Sequence, residues 1–150
     1  MKKAIIILGC VIGAMAFISA DKNDPANNNS LSLEGVWELE HQFLYEDNEV
    51  KDTIMNLNGY RQVKVYTKGK VMWTRFNPAD SNEWFGYGSY EVKDGMLEEQ
   101  LEYASDAMMR IVDTVQVFRF ELDLGKERYS QIVRDSNGDL ESSENYIRIE

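Results

Sequence analysis

Apolar and polar residues alternate along several short segments of the chain. Between residues 35 and 44, Trp37, Leu39, His41 and Phe43 stand two positions apart, with glutamate or glutamine between them. Residues 117–122 alternate in the same way. A period of two is typical of a β-strand with one face on a core and the other in water. On this pattern, His41 shares the inward face with Trp37.

Glycine-containing turn signals separate these segments. They are Asn58-Gly59, Lys68-Gly69, Asp94-Gly95, Leu124-Gly125 and Asn137-Gly138. Asn-Gly and Asp-Gly are strong hairpin signals because both residues tolerate positive φ. The signals indicate about nine strands, at 35–44, 53–57, 60–67, 70–76, 84–92, 96–104, 112–122, 127–134 and 143–149. Residues 105–110 form the only predicted turn of helix.

Short connections between consecutive strands predict an antiparallel meander. A sheet of this many strands tends to curl, and closing it removes exposed edges. The predicted fold class is therefore all-β, an up-and-down barrel of about eight or nine strands. A β-sandwich is the alternative.

The amino terminus has the pattern of a secretory signal peptide. Lys2 and Lys3 precede an apolar run that ends before Ser19-Ala20, and a polar stretch follows. This order predicts a signal peptide at 1–20, a flexible linker at 21–32 and one domain at 33–150. The protein is then exported, to the periplasm or outside the cell. Attachment of a lipid at Cys10 is the minor alternative, although this cysteine lies inside the apolar run rather than at its end.

Composition narrows the function further. The 150 residues have a net charge of −10, which becomes −12 when Lys2 and Lys3 are removed with the signal peptide. Such a chain is repelled by phosphate backbones and anionic lipids, so we expect neither nucleic acid nor a membrane surface as partner. It has one histidine, and its single cysteine is Cys10. We therefore expect no cofactor, no metal site and no enzymatic activity.

Three sequence features carry a family resemblance. Gly35-Val36-Trp37 opens the first predicted strand, and Tyr146-Ile147-Arg148 lies in the last. Between them come Lys70–Arg75, Asn77–Asp80 and Phe85–Tyr90. This order resembles the calycin pattern of lipocalins and small exported bacterial lipocalin-like domains of unknown function. The chain differs from the large secreted lipocalins in having no clear carboxy-terminal helix.

The resemblance implies structural roles for two residues. In calycins, a tryptophan near the start of the barrel packs beneath an arginine from the closing strand. Trp37 would therefore close the base, with Arg148 over its ring and Arg119 as the alternative partner. Cation–π attraction in such a pair contributes about 0.5–2 kcal/mol.

A small barrel can be filled by side chains or can hold one small ligand. Ligand pockets combine aromatic walls with a few polar anchors. The candidate ligand-binding residues are His41, Trp73, Arg75, Tyr87, Glu99 and Tyr103. Alternation places Glu99 and Tyr103 on one face of their strand, and Arg75 on the face of Trp73. The alternatives are a buried histidine or one misassigned by a β-bulge, and an Arg75 that points into solvent.

Two further patterns are ambiguous. Residues 135–139 start like a calcium loop, but Leu140 and Tyr146 stand where an EF-hand has its glycine and glutamate, which favours a hairpin. Gly86 and Gly88 can make room for a ligand or permit curvature.

The leading hypothesis is a non-enzymatic barrel that binds a small apolar or amphipathic molecule. The alternative is an interaction module that contacts protein or glycan through its outer surface. Val115 and Val117, on the expected outer face of a long strand, favour that alternative.

Overall fold

The computed structural model describes residues 31–150. The predicted signal peptide, Cys10 and the linker up to residue 30 lie outside these residues. In the described part, the strands are β1 (Gly35–Glu46), β2 (Glu49–Met55), β3 (Arg61–Thr67), β4 (Lys70–Phe76), β5 (Trp84–Lys93), β6 (Met96–Ala104), β7 (Phe118–Leu124), β8 (Arg128–Arg134) and β9 (Leu140–Arg148). One helix, α1 (Asp106–Val112), lies between β6 and β7.

The nine strands form one antiparallel sheet whose hydrogen bonding runs round in a ring. Its order is β2-β1-β3-β4-β5-β6-β7-β8-β9, and β1 also pairs with β9. The start of β1 pairs with β3, whereas its second half pairs with β2. The ring thus contains β1 and β3 to β9, and β2 pairs with β1 alone. The predicted antiparallel meander is confirmed, and all described strands belong to a single sheet rather than to the two of a sandwich.

Tight turns set the register of two hairpins. Lys68 and Gly69 both have positive φ, as do Asp94 and Gly95. Each pair directly joins two antiparallel strands, so that Thr67 lies opposite Lys70 and Lys93 opposite Met96. A two-residue turn with positive φ at both positions matches the natural twist of the strands it joins.

Two strand boundaries differ from the prediction by four or more residues. The helix continues to Val112, and β7 begins only at Phe118. Val115 and Val117 therefore precede β7, and the prediction that they lie on the outer face of a strand is wrong. The physical reason is that Ala107, Met108 and Met109 favour a helix, which extends through Ile111 and Val112.

The second differing boundary is the start of β2 at Glu49 rather than at residue 53. Asp47 and Asn48 both adopt positive φ and make a tight turn that carries no glycine signal.

The hydrophobic core is aromatic. Trp37, Tyr66, Tyr129 and Tyr146 are almost completely buried, with Leu39, Val71 and Leu97 among them. The rings of Tyr129 and Tyr146 stack with their centres 4.7 Å apart, and Trp37 meets Tyr129 edge-on at 4.8 Å. The Arg148 guanidinium lies 4.0 Å from the centre of the Trp37 ring. The predicted Trp37–Arg148 pair is confirmed, whereas Arg119 pairs with Glu98.

No helix among residues 31–150 has the length and apolar character needed to cross a bilayer.

Candidate functional site

A cavity of about 260 Å³ lies on the inner face of the sheet beneath α1. We call it the central cavity. Its apolar wall contains Trp73, Trp84, Leu101, Phe118 and Phe120 from the strands, and Met108 and Ile111 from the helix. Met108 and Ile111 stand three residues apart, which places both on one side of α1. The helix therefore contributes one apolar side to the cavity.

A buried ion pair, which we call the inner pair, forms part of the cavity lining. The Lys64 ammonium donates to both carboxylate oxygens of Glu99, at 2.9 and 3.0 Å, and to the side-chain oxygen of Gln131 at 2.9 Å. The side chains of Lys64 and Glu99 are only 5% and 4% exposed. Tyr66 donates its hydroxyl to Glu99 at 2.5 Å. All three ammonium donors thus have partners, as a buried charge requires.

A second ion pair, the outer pair, lines the cavity in a more exposed position. Nη2 of Arg75 lies 3.9 Å from Oε1 of Glu144, and the two side chains are 32% and 23% exposed. Arg75 donates through Nε to Gln62 at 2.8 Å. The other carboxylate oxygen of Glu144 accepts hydrogen bonds from Gln62, Gln131 and Tyr146. Gln62 therefore contacts both members of the outer pair, and Gln131 links the outer pair to the inner pair.

Burial controls the titration of the tyrosines around the inner pair. Desolvation is the main cause that raises the pKa of Tyr66, Tyr129 and Tyr146 well above 10.0. For Tyr66, the nearby Tyr129 and Glu99 raise the pKa further. These hydroxyls are therefore neutral donors over the physiological pH range.

Three of the six candidate ligand-binding residues line the central cavity: Trp73, Arg75 and Glu99. Arg75 thus points inward rather than into solvent. The buried Glu99 was also correctly placed on the inner face, although the sequence did not indicate its partner Lys64.

The other three candidates, His41, Tyr87 and Tyr103, lie outside the cavity lining. A β-bulge at Glu40 shifts the register, so that Leu39 pairs with Tyr146 but His41 pairs with Asn145. Since neighbours across a sheet share a face, His41 points outward, and the predicted inward orientation is wrong. His41 instead packs against Phe43, with ring centres 4.5 Å apart.

A second bulge has the same effect on Tyr103. Gly88 pairs with Leu101 and Tyr87 with Tyr103, which leaves Glu102 as the extra residue. The bulge turns Tyr103 to the outer face, where it stacks on Tyr87 with ring centres 5.2 Å apart. The expectation that Tyr103 shares a face with Glu99 is therefore wrong.

Gly86 and Gly88 permit close packing. A Cβ on Gly86 would lie 2.8 Å from the indole nitrogen of Trp73, so its absence makes room for this cavity-wall residue. A Cβ on Gly88 would clash with the backbone oxygen of Gln100 and lie 2.7 Å from the Cα of Leu101. Gly88 is thus required where the bulge brings two strands together.

Lys64 and Gln62 are the principal cavity residues that the sequence analysis missed. In β3 the polar residues face inward and Val63 and Val65 outward, which reverses the usual pattern. The Lys68-Gly69 turn is the sequence signal that could have placed Lys64. A two-residue hairpin turn puts Lys64 directly opposite Trp73, and directly opposite residues lie on the same face of the sheet.

The loop at 135–139 is a hairpin turn. The Asp135 carboxylate accepts hydrogen bonds from the backbone nitrogens of Asn137 and Asp139, and these two bonds are the main reason that its pKa is lowered. Residues 31–150 contain no group of three or more histidine, cysteine or acidic side chains that could hold a metal ion.

Comparisons with known proteins support the fold. No protein-family model matches the chain, and a search of curated proteins found no match. Among solved structures, a lipocalin-like protein from Bacteroides uniformis ATCC 8492 aligns with a TM-score of 0.52 and 14% identity, over 78% of this chain and 98% of that one. An uncharacterized protein from Bacteroides eggerthii DSM 20697 aligns with a TM-score of 0.51 and 15% identity, over 78% and 99%. The resemblance to lipocalin-like domains is confirmed for the fold.

Proposed function

We propose that the protein binds a compact, largely apolar molecule in the central cavity. The observation that carries this proposal is a cavity of about 260 Å³ that combines an aromatic wall with polar groups. Pockets for small ligands have this composition, with apolar walls and a few placed polar side chains. A lipocalin-like fold is compatible with such a role, since small barrels can hold a single ligand.

The volume indicates the size of the ligand group that the cavity can bury. An apolar cavity of about 150 Å³ is enough to bind benzene. The central cavity, at about 260 Å³, therefore suits one substituted ring better than a long acyl chain. Most of the binding free energy would come from burial of that ring, at about 25 cal/mol per Å² of apolar surface.

Benzyl alcohol is a suitable probe because it has one ring and no charge. We expect saturable amide chemical-shift changes at residues that line the central cavity. Leu101→Trp adds bulk to the cavity wall and should weaken binding at least tenfold. Met72→Trp is the matched control, because Met72 lies on the outer face of β4 and is half exposed. Equal affinities of both variants, with folding intact, would contradict the proposal.

We also propose that the protein acts after export. The support is the charged, apolar and small-residue order of residues 1–20. Intact-mass measurement of the protein from the periplasm or culture medium should give an amino terminus at Asp21. A protein that keeps Met1, or one lipidated at Cys10, would contradict this.

An outer-face row favours a second candidate function, binding of a protein or glycan. Met72, Tyr87 and Tyr103 are consecutive neighbours across β4, β5 and β6. Met72 and Tyr103 are more than half exposed. Exposed apolar groups of this kind often mark interfaces. Screening against glycans and candidate proteins with Tyr103→Ser as the comparison tests it, and a loss of binding in this variant is expected.

A further inference from the structure

We propose that the ligand of the central cavity is zwitterionic, of the class of aromatic α-amino acids. This inference rests on the proposed function, because it assigns the ligand class to the same cavity. The outer pair, Arg75 and Glu144, would bind the ligand's carboxylate and ammonium groups. The aromatic wall would bind its ring.

The inner pair has little hydrogen-bonding capacity left for a charged ligand group, because every donor of Lys64 and three of the four acceptor sites of Glu99 are used. The Lys64 ammonium has its three partners in Glu99 and Gln131. Both carboxylate oxygens of Glu99 accept hydrogen bonds, and Tyr66 provides one of them. The charges of Lys64 and Glu99 also cancel. A head group placed here would have to break existing hydrogen bonds.

The outer pair has unused hydrogen-bonding atoms. Among residues 31–150, Nη1 and Nη2 of Arg75 have no acceptor at normal hydrogen-bond distance and angle, since Arg75 donates through Nε to Gln62. The Tyr60 hydroxyl also lies beside this guanidinium, which partly offsets the rise that burial causes in the pKa of Tyr60. Oε1 of Glu144 likewise accepts no hydrogen bond, because its three donors all bind Oε2. The distance of 3.9 Å between Nη2 and Oε1 exceeds that of a direct charge-assisted hydrogen bond. Arg75 can thus donate two further hydrogen bonds, and Glu144 can accept at least one.

The charges around the outer pair favour a ligand with both signs. A carboxylate alone would bind Arg75 but would lie close to Glu144, and Asp80 is also near, bonded to Trp84 at 2.7 Å. An ammonium alone would bind Glu144 but would be repelled by Arg75. A zwitterion leaves the net charge unchanged and gives each protein charge an opposite partner. In an α-amino acid, the two groups are attached to one carbon, which suits two protein atoms 3.9 Å apart.

The ring of such a ligand has an apolar surface beside the outer pair. Arg75 lies 5.8 Å from the centre of the Trp84 ring, so the charged and aromatic parts of the lining adjoin. Trp73, Phe118 and Leu101 continue the apolar wall. The volume of about 260 Å³ is of the size that a single ring with a short side chain needs.

Four probes with the same phenyl ring separate the contributions of the carboxylate, the ammonium group and the ring to binding. They are L-phenylalanine, 3-phenylpropanoate, 2-phenylethylamine and benzyl alcohol, titrated calorimetrically at pH 7 into the exported form of the chain. We expect L-phenylalanine to bind at least tenfold more tightly than each of the other three.

Two charge-removing variants test the assignment of each head group. Arg75→Gln should lose the preference for L-phenylalanine and bind 2-phenylethylamine at least as tightly. Glu144→Gln should shift the preference to 3-phenylpropanoate. Arg119→Gln is the matched control, because Arg119 pairs with Glu98 away from the cavity. It should keep the wild-type order of affinities.

The outcomes separate this inference from the proposed function. If benzyl alcohol binds in the cavity and L-phenylalanine binds no more tightly, the zwitterion assignment is wrong and the proposed function stands. If 3-phenylpropanoate or 2-phenylethylamine alone binds most tightly to the wild type, the assignment is also wrong. If none of the four binds, both are overturned. The order of affinities of the four probes for the wild-type protein tests the zwitterion assignment even if a variant does not fold.

Discussion

Arg148 shows how one side chain secures the closed end of the fold. Its guanidinium lies over Trp37 and also donates to the backbone oxygens of Ser32, Glu34 and Lys126, at 2.7–2.8 Å. The indole of Trp37 donates in turn to the backbone of Leu33 at 2.8 Å. One residue of β9 therefore ties together the segment before β1 and the β7–β8 turn. The sequence predicted the Trp37–Arg148 contact but not these backbone bonds.

Replacing Arg148 by lysine should destabilise the protein by about 1–3 kcal/mol. Lysine keeps the charge but lacks the planar fork that reaches three carbonyl oxygens and covers the ring. Urea denaturation measures the loss, with Arg119→Lys as the control, because an exposed pair contributes little. If Arg148→Lys lowers the free energy of unfolding no more than Arg119→Lys does, the planar guanidinium of Arg148 does not contribute to stability in this way.

The buried tyrosines predict a stability change in alkali. Their pKa values lie well above 10.0 in the folded state, mainly through desolvation, whereas an unfolded tyrosine has a pKa of about 10. Above pH 10, the unfolded state loses these protons first, so the free energy of unfolding falls as the pH rises. Below pH 10, both states are protonated and this contribution does not change.

The urea concentration at the midpoint of unfolding, measured between pH 8 and pH 11.5, tests this expectation. Tyr129→Phe should make the alkaline fall less steep than in the wild type. Tyr103→Phe is the control, because that residue is 57% exposed. Identical slopes for the wild type and Tyr129→Phe would contradict the explanation.

At the scale of single elements, two β-bulges decide which side chains reach the interior. Strict alternation correctly predicts that Trp37 and Leu39 face inward, and it fails one residue after the bulge at Glu40. The same failure occurs at Tyr103 after the bulge at Glu102. One inserted residue moves each later side chain of that strand to the opposite face of the sheet from the one that strict alternation predicts. The residues next to Glu40 and Glu102 in their own strands mark neither bulge, because an inserted residue is recognisable only against its partner strand; for the second bulge, that partner strand carries Gly88.

Gly88→Ala should disrupt the second bulge. Its Cβ would meet the backbone of Gln100 and Leu101, which cannot move aside as a flexible side chain can. We expect a loss of about 3 kcal/mol in the free energy of unfolding. Ser89→Ala on the same strand should change it by less than about 0.5 kcal/mol. Equal effects of the two substitutions would refute the role given to Gly88.

For the whole molecule, ring closure makes β1 the central strand and leaves β2 at the margin. β1 pairs with β3 and β2 on one edge and with β9 on the other. Every residue of β2 is exposed, and β2 pairs with no strand except β1. Local opening requires less free energy where few apolar contacts must be broken. The two strands of this first hairpin should therefore differ in stability.

Native-state hydrogen exchange tests this difference. Bonded amides in the first half of β1 should exchange only through global unfolding, whereas amides of β2 should exchange through local opening. The β2 amides should exchange at least tenfold faster and depend weakly on denaturant. The same protection across both strands would show that the hairpin opens as one unit with the ring.

Local chemistry accounts for what could be predicted about this protein. Turn glycines, the period of two and the Trp37–Arg148 pairing indicated the antiparallel meander and its closed end, because each depends on a few residues and on the sterics of the backbone. The central cavity depends on contacts between distant segments. Lys64 is neutralised by Glu99, 35 positions away, and Arg75 of β4 pairs with Glu144 of β9. Burying a charge is acceptable only when folding supplies its partner, so the inward position of Lys64 could not follow from its own strand.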